Sequence, residues 1–157
     1  MDGDVDSKEN SLKATITSAM KDAMRAREKA RLGTIRLILA DLKRIEVDER
    51  IELDDARVLA VLDKMLKQRR DSISQYEAAA RQDLADIEVA EVAVIETFLP
   101  VALTESEIDG LVEQAISSSG AESVRDMGKV MAILKPELQG RADVGSVSQQ
   151  VKKRLSN

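Results

Sequence analysis

The chain has 157 residues, a formal net charge of −5, and neither cysteine nor histidine. Those two absences exclude disulfides, thiolate nucleophiles and histidine general-base chemistry, and they remove the preferred ligands of a zinc site. Hydrophobic residues make up 43% and aromatics only 1%, with 34% charged and two prolines. An aliphatic core with so few helix breakers predicts an all-α fold.

In chain order, residues 1–10 are short, polar and acid-rich (Asp2, Asp4, Asp6) and read as a disordered leader. Ser11 is a suitable cap for a first helix carrying Leu12, Ile16, Ala19, Met20 and Ala23 at spacings of three and four. Leu32, Ile35, Ile38, Leu39, Leu42 and Ile45 mark a second helix. Asp54 or Asp55 caps a third, with Leu59, Leu62, Leu66, Ile73 and Tyr76 along one side. Leu84, Ile87, Val94, Ile95 and Phe98 mark a fourth. The connections near Glu28, at 50–53 and at 80–83 are short, so neighbouring helices are expected to run antiparallel. Met20, Met24, Met65, Met127 and Met131 read as core filler.

Phe98-Leu99-Pro100 interrupts the pattern, because proline disfavours helix in the residue before it. Thr104 and Glu107 form a capping-box sequence, opening a helix with Ile108, Leu111, Val112, Ala115 and Ile116 that Gly120 closes. Ser123 and Asp126 repeat the spacing ahead of Met127, Val130, Met131 and Leu134, and Pro136 is expected to limit that helix. Asp143 caps the last one, with Val147, Val151 and Leu155 inward. The expected organisation is therefore an N-terminal helical domain over 11–99, a hairpin array of long helices, followed by a compact three-helix module over 100–157.

Function classes narrow further. No apolar run is long enough to span a membrane, and no signal-peptide pattern opens the sequence. The cytoplasm is the default location, with an organelle matrix left open. No metal or cofactor is expected: no EF-hand spacing, P-loop or Ser–Lys amidase pattern occurs. The carboxylates at 46–55 are read as a solvated helix junction, because a catalytic acid–base pair needs two opposed environments. Arg69 and Arg70, with Lys67, are expected to pair with helix-surface carboxylates. Arg36, beside Ile35, is expected to be partly buried in an ion pair or to snorkel.

Charge is uneven along the C-terminal part. Residues 101–120 carry acids and no base. Beyond them come Arg125, Lys129, Lys135, Arg141, Lys152, Lys153 and Arg154, against Glu122, Asp126, Glu137 and Asp143. Two helix openings, after Ser123 and after Asp143, fall in the same region, and helix openings attract anions. Gly128 stands early in a helix, where glycine costs about 1 kcal/mol relative to alanine. Two readings stay open. In one, Lys129 and Arg141 build a phosphate cradle that Gly128 and Gly140 allow a ligand to approach, with Lys152, Lys153 and Arg154 adding long-range attraction. In the other, the glycines serve packing and turns, the bases are solvated, and the last three complement the helix dipole. Without aromatics for base stacking, any RNA contact is expected to be by shape and phosphate position, and to be salt-dependent.

Asp126-Met-Gly-Lys-Val-Met131 and Gly140-Arg-Ala-Asp143, together with Arg31-Leu-Gly-Thr-Ile-Arg36, Lys67-Gln-Arg-Arg-Asp-Ser-Ile73, Phe98-Leu-Pro100 and Gly120-Ala121, resemble the signature of the GatB/YqeY family over about Leu12 to Leu155. The family comprises stand-alone YqeY-like proteins and the C-terminal tail of the B subunit of the tRNA-dependent amidotransferase. The match is to the stand-alone form, with one departure at Val144-Gly145, where many relatives have glycine directly after the aspartate. The resemblance implies a non-catalytic accessory protein that contacts tRNA. It implies, as an alternative, a module that docks on amidotransferase subunits or another tRNA-handling complex. A third implication, ranked last, is a part in carbon–nitrogen ligation with glutamine as nitrogen donor.

Overall fold

The computed structural model describes residues 11–156, so the expected leader over 1–10 lies outside the described residues. Among them are seven α-helices and no strand: α1 (Leu12–Arg25), α2 (Lys29–Glu49), α3 (Asp55–Ala78), α4 (Gln82–Glu96), α5 (Glu105–Ser119), α6 (Met127–Leu138) and α7 (Val144–Leu155). A single 3-10 turn, Val124–Asp126, leads into α6. The chain divides into two compact units, 1–99 and 100–157.

Local chemistry sets most boundaries. The Ser11 hydroxyl accepts the Ala14 N–H, and the Asp54 carboxylate accepts the Arg57 N–H, so Asp54 rather than Asp55 is the cap of α3. Thr104 and Glu107 complete a reciprocal capping box on α5. Gly120 closes α5 in the left-handed conformation at φ 69°, which glycine adopts without the Cβ clash of other residues. Helices α2 and α3 end instead on Arg50 (φ 55°) and near Ala80 (φ 58°), non-glycine residues in the same region.

In the first unit α1 pairs with α2 and α3 with α4, while α2 also packs on α4 and α1 on α3. The shared core holds Ile16, Ile35, Ile38, Leu42, Val58, Leu62 and Ile95, all fully buried, with Phe98 closing one end. In the second unit α5, α6 and α7 pack pairwise around Val112, Val130, Leu134, Leu138 and Val151.

Several expectations are corrected. Ile87 is exposed, while Ala85 of the same helix is fully buried. Met24 is exposed, so it is not core filler. Arg36 is also exposed, because a residue 100° around the helix from Ile35 lies on the flank of the buried stripe. Pro136 lies inside α6, which runs on to Leu138. Leu134 and Leu138 are both buried and hold the final turn in place.

The acidic junction is not simply solvated. Glu46 receives the Lys13 ammonium at 2.7 and 2.9 Å and the Leu53 N–H at 3.0 Å. The Lys13 hydrogen bond, and after it the Leu53 N–H, hold the Glu46 carboxyl below the usual glutamate range. Asp55 accepts the Leu12 N–H, and Glu49 pairs with Arg57. These carboxylates therefore stitch α1, α2 and α3 together. Arg69 and Arg70 do pair with carboxylates, Glu91 and Glu96, which stand across on α4.

Candidate nucleic-acid interface

The candidate-site cations of the second unit sit on three pieces of structure. Lys129 is in the first turn of α6, and its side chain is 71% exposed, with the Asp126 carboxylate at 3.9 Å. A pair so long and so exposed contributes little and leaves the ammonium available to solvent. Beside it, Gly128 is exposed, and a Cβ built there meets nothing within 4 Å. Among the described residues, none therefore demands glycine at that position.

Gly140 differs. It is buried at φ 73°, in the turn that joins α6 to α7. The Leu138 carbonyl accepts both the Arg141 N–H and the Ala142 N–H around it. The positive φ of this turn favours glycine. Arg141 is half-buried and serves the same neighbourhood. Its Nε–H donates to the Val101 carbonyl at 3.1 Å, and its own carbonyl accepts the Leu103 N–H at 2.9 Å. Arg141 thus clasps the segment ahead of α5, while the nearest carboxylate to Lys129 lies on the 3-10 turn. The polar contacts of the two cations lead to different parts of the unit.

Lys152, Lys153 and Arg154 share the last turn of α7 and are all exposed. Arg154 leans on Asp109 of α5 at 3.9 Å, and Gln150 also hydrogen-bonds that carboxylate, so α7 is fastened to α5 from its polar face. Cations at this end complement the negative pole of the helix.

At the two helix openings the structure differs from expectation in part. The Asp126 carboxylate accepts the Glu122 N–H at 3.0 Å, a bond that holds its pKa below the ordinary value, while the Ser123 side chain makes no capping bond. At α7 the Asp143 carboxylate accepts from the Gly145 N–H and the Ser146 hydroxyl. The α7 opening thus holds a carboxylate of this chain, whereas Asp126 makes no side-chain capping bond to α6. The Asp143 carboxylate satisfies the Gly145 N–H and offsets the positive pole that a phosphate would otherwise meet there. The unit offers an anion side-chain charge at Lys129 and at the end of α7.

The Yqey-like protein family model matches residues 13–155, nearly the whole described chain. Three fungal relatives each bear the name "Altered inheritance of mitochondria protein 41, mitochondrial". The protein of Pyrenophora tritici-repentis is 31% identical over 85% of this chain and 75% of its own length. That of Kluyveromyces lactis is 34% identical over 66% of this chain and 58% of its own length. That of Vanderwaltozyma polyspora is 35% identical over 62% and 55%. The chain thus spans little more than half the length of the latter two. With an all-helical fold and a family match from the first helix to the last, the chain belongs to the YqeY-like protein family.

Proposed function

We propose that this protein is a non-catalytic accessory factor that binds the backbone of structured tRNA, as the resemblance to the amidotransferase tail implies. The observation that carries the reading is the pair Gly128–Lys129: a glycine that no packing among the described residues requires, next to a lysine with a side chain 71% exposed. A helical glycine kept without an internal packing reason suits close approach of an outside group. An exposed ammonium beside it suits a phosphate. Lys152, Lys153 and Arg154 would add attraction, and the acidic remainder of the chain would hold down nonspecific binding. Arg141 would contribute mainly by holding its turn.

For compartment, the relatives' names carry the word mitochondrial. We extend this only to a setting where tRNA is met, the cytoplasm by default or an organelle matrix.

The test is binding of unmodified tRNA across a salt series. Binding should weaken steeply with salt, and Lys129→Glu should lower affinity and reduce the slope by about 1 with helicity unchanged. No binding at low salt, or binding indifferent to Lys129, overturns the reading. Co-purification of an amidotransferase subunit in that case would favour the docking-module alternative.

A further inference from the structure

Helix α2 carries two seams. One, through Ile35, Ile38, Leu42 and Ile45, faces the core. The other, on the opposite side, runs through Ala30, Gly33, Leu37, Ala40, Arg44 and Val47. Its spacing alternates three and four, the a/d pattern of a coiled coil. Leu37 is 48% exposed and Val47 65% exposed, large apolar side chains left in water. The seam covers about 26 Å of helix axis at 1.5 Å per residue.

The flanks of this seam carry opposite charges. Arg36 and Lys43, seven residues apart and both exposed, hold the positions before Leu37 and Arg44. Asp41 and Asp48, also seven apart, hold the positions after Ala40 and Val47. In heptad terms the cations are at g and the acids at e. If a second α2 lies parallel, each g residue meets the e residue five places further along the other helix. Arg36 then faces Asp41 of the second copy and Lys43 faces Asp48, and the two-fold axis doubles both pairs. Antiparallel pairing would set cation row against cation row and acid row against acid row. The face is self-complementary in one orientation only.

We propose that this outer face of α2 is a two-fold homodimer interface, with the α2 helices of two copies parallel. The proposal is independent of tRNA binding, since it involves none of the cations assigned to that role. Arg44 limits its strength. It occupies an a position, where two copies bring like charges to the axis, and its own Asp41 at 4.0 Å compensates only partly. A short seam with a charge at its centre predicts a reversible dimer that dissociates on dilution.

Sedimentation of the full chain from micromolar to millimolar concentration tests this. Wild type should move from monomer towards dimer as concentration rises. Arg44→Leu should tighten the dimer, and Leu37→Glu should abolish it. Lys43→Asp should weaken it roughly tenfold through loss of two symmetric pairs. Lys43→Asp combined with Asp48→Lys, which inverts the pair, should restore it. Such a rescue is not expected from a mere loss of folding. The proposal is overturned if wild type and Arg44→Leu both stay monomeric throughout, if a dimer forms but ignores Leu37→Glu, or if the inverted pair fails to restore what Lys43→Asp removes.

Discussion

The guanidinium carbon of Arg31 lies 5.7 Å from the centroid of the Phe98 ring, within cation–π range. The two residues are far apart in sequence, and the contact ties the start of α2 to the turn that follows α4. Arg31 is partly shielded, with a side chain 33% exposed, and Glu28 at 3.8 Å gives it a second, looser neighbour. Phe98 is 8% exposed and packs on the core of the first unit. Arg31→Ala should cost about 0.5–1 kcal/mol through the ring contact, and Phe98→Ala about 3–5 kcal/mol through the cavity it leaves. A double-mutant cycle should return a coupling of the smaller size. The chain has one tyrosine and no tryptophan, and Tyr76 is half-buried in α3. Urea unfolding followed by tyrosine fluorescence therefore reports on the unit that contains the pair. Zero coupling would make the contact incidental.

Glu46 gives the first unit an acid-sensitive fastening. Its folded pKa is held below the ordinary value of 4.5, chiefly by the Lys13 hydrogen bond and then by the Leu53 N–H. The stabilisation is fully present above the unfolded value and fades as pH falls through the lowered folded value. Glu46→Gln keeps the shape but loses the charge. It should lower stability near neutral pH by about 1–3 kcal/mol and flatten the stability curve below pH 4.5. Thermal unfolding of the two proteins across that window checks both parts. Parallel acid-side curves would mean that Glu46 is not the titrating group.

What the sequence makes legible is mainly short-range. The caps at Ser11, Asp54, Thr104 and Asp143 and the left-handed stop at Gly120 depend on groups within a few residues of one another. Long-range features are less legible. The Lys13–Glu46 bond spans 33 residues, and no local pattern announces it. Periodicity shows that a stripe is buried but not how wide it is, so Ile87 and Met24 are exposed although their spacing fits. For the candidate site, exposed lysines in a basic segment are readable, whereas the clasp from Arg141 to Val101 depends on tertiary packing. The carboxylates at the helix openings had a signal in hand. Asp143 is a capping residue by type, and a capped opening is a filled one, whereas Asp126, of the same type, makes no capping bond to α6.

Arg141 should behave as a structural residue before it behaves as a ligand. With the Nε–H bond to Val101 removed, Arg141→Ala should destabilise the second unit by about 0.5–1.5 kcal/mol. It should also speed hydrogen exchange at the Leu103 amide, which the Arg141 carbonyl holds at 2.9 Å. Arg141→Lys should fare little better, since an ammonium on a flexible stem does not reproduce the guanidinium geometry. If both variants leave the Leu103 exchange rate unchanged, the clasp is not formed in solution. Loss of tRNA binding in either variant would need this control before being attributed to a lost phosphate contact.

The two glycines of the basic segment should respond in opposite directions to the same change. Gly140 is buried at φ 73°, and an alanine forced into that region costs about 1–2 kcal/mol. Gly128 is helical, exposed and surrounded by open space, so Gly128→Ala should leave stability unchanged or raise it by up to about 1 kcal/mol. Melting curves followed by far-ultraviolet circular dichroism separate the two. The same pair of variants then isolates function from folding. If a phosphate or sugar approaches the α6 backbone, Gly128→Ala should weaken tRNA binding even though the protein is at least as stable as before. A Gly128→Ala protein that is more stable and binds tRNA as tightly as wild type would show that the position is open on both sides. The proposed contact would then rest on charge alone.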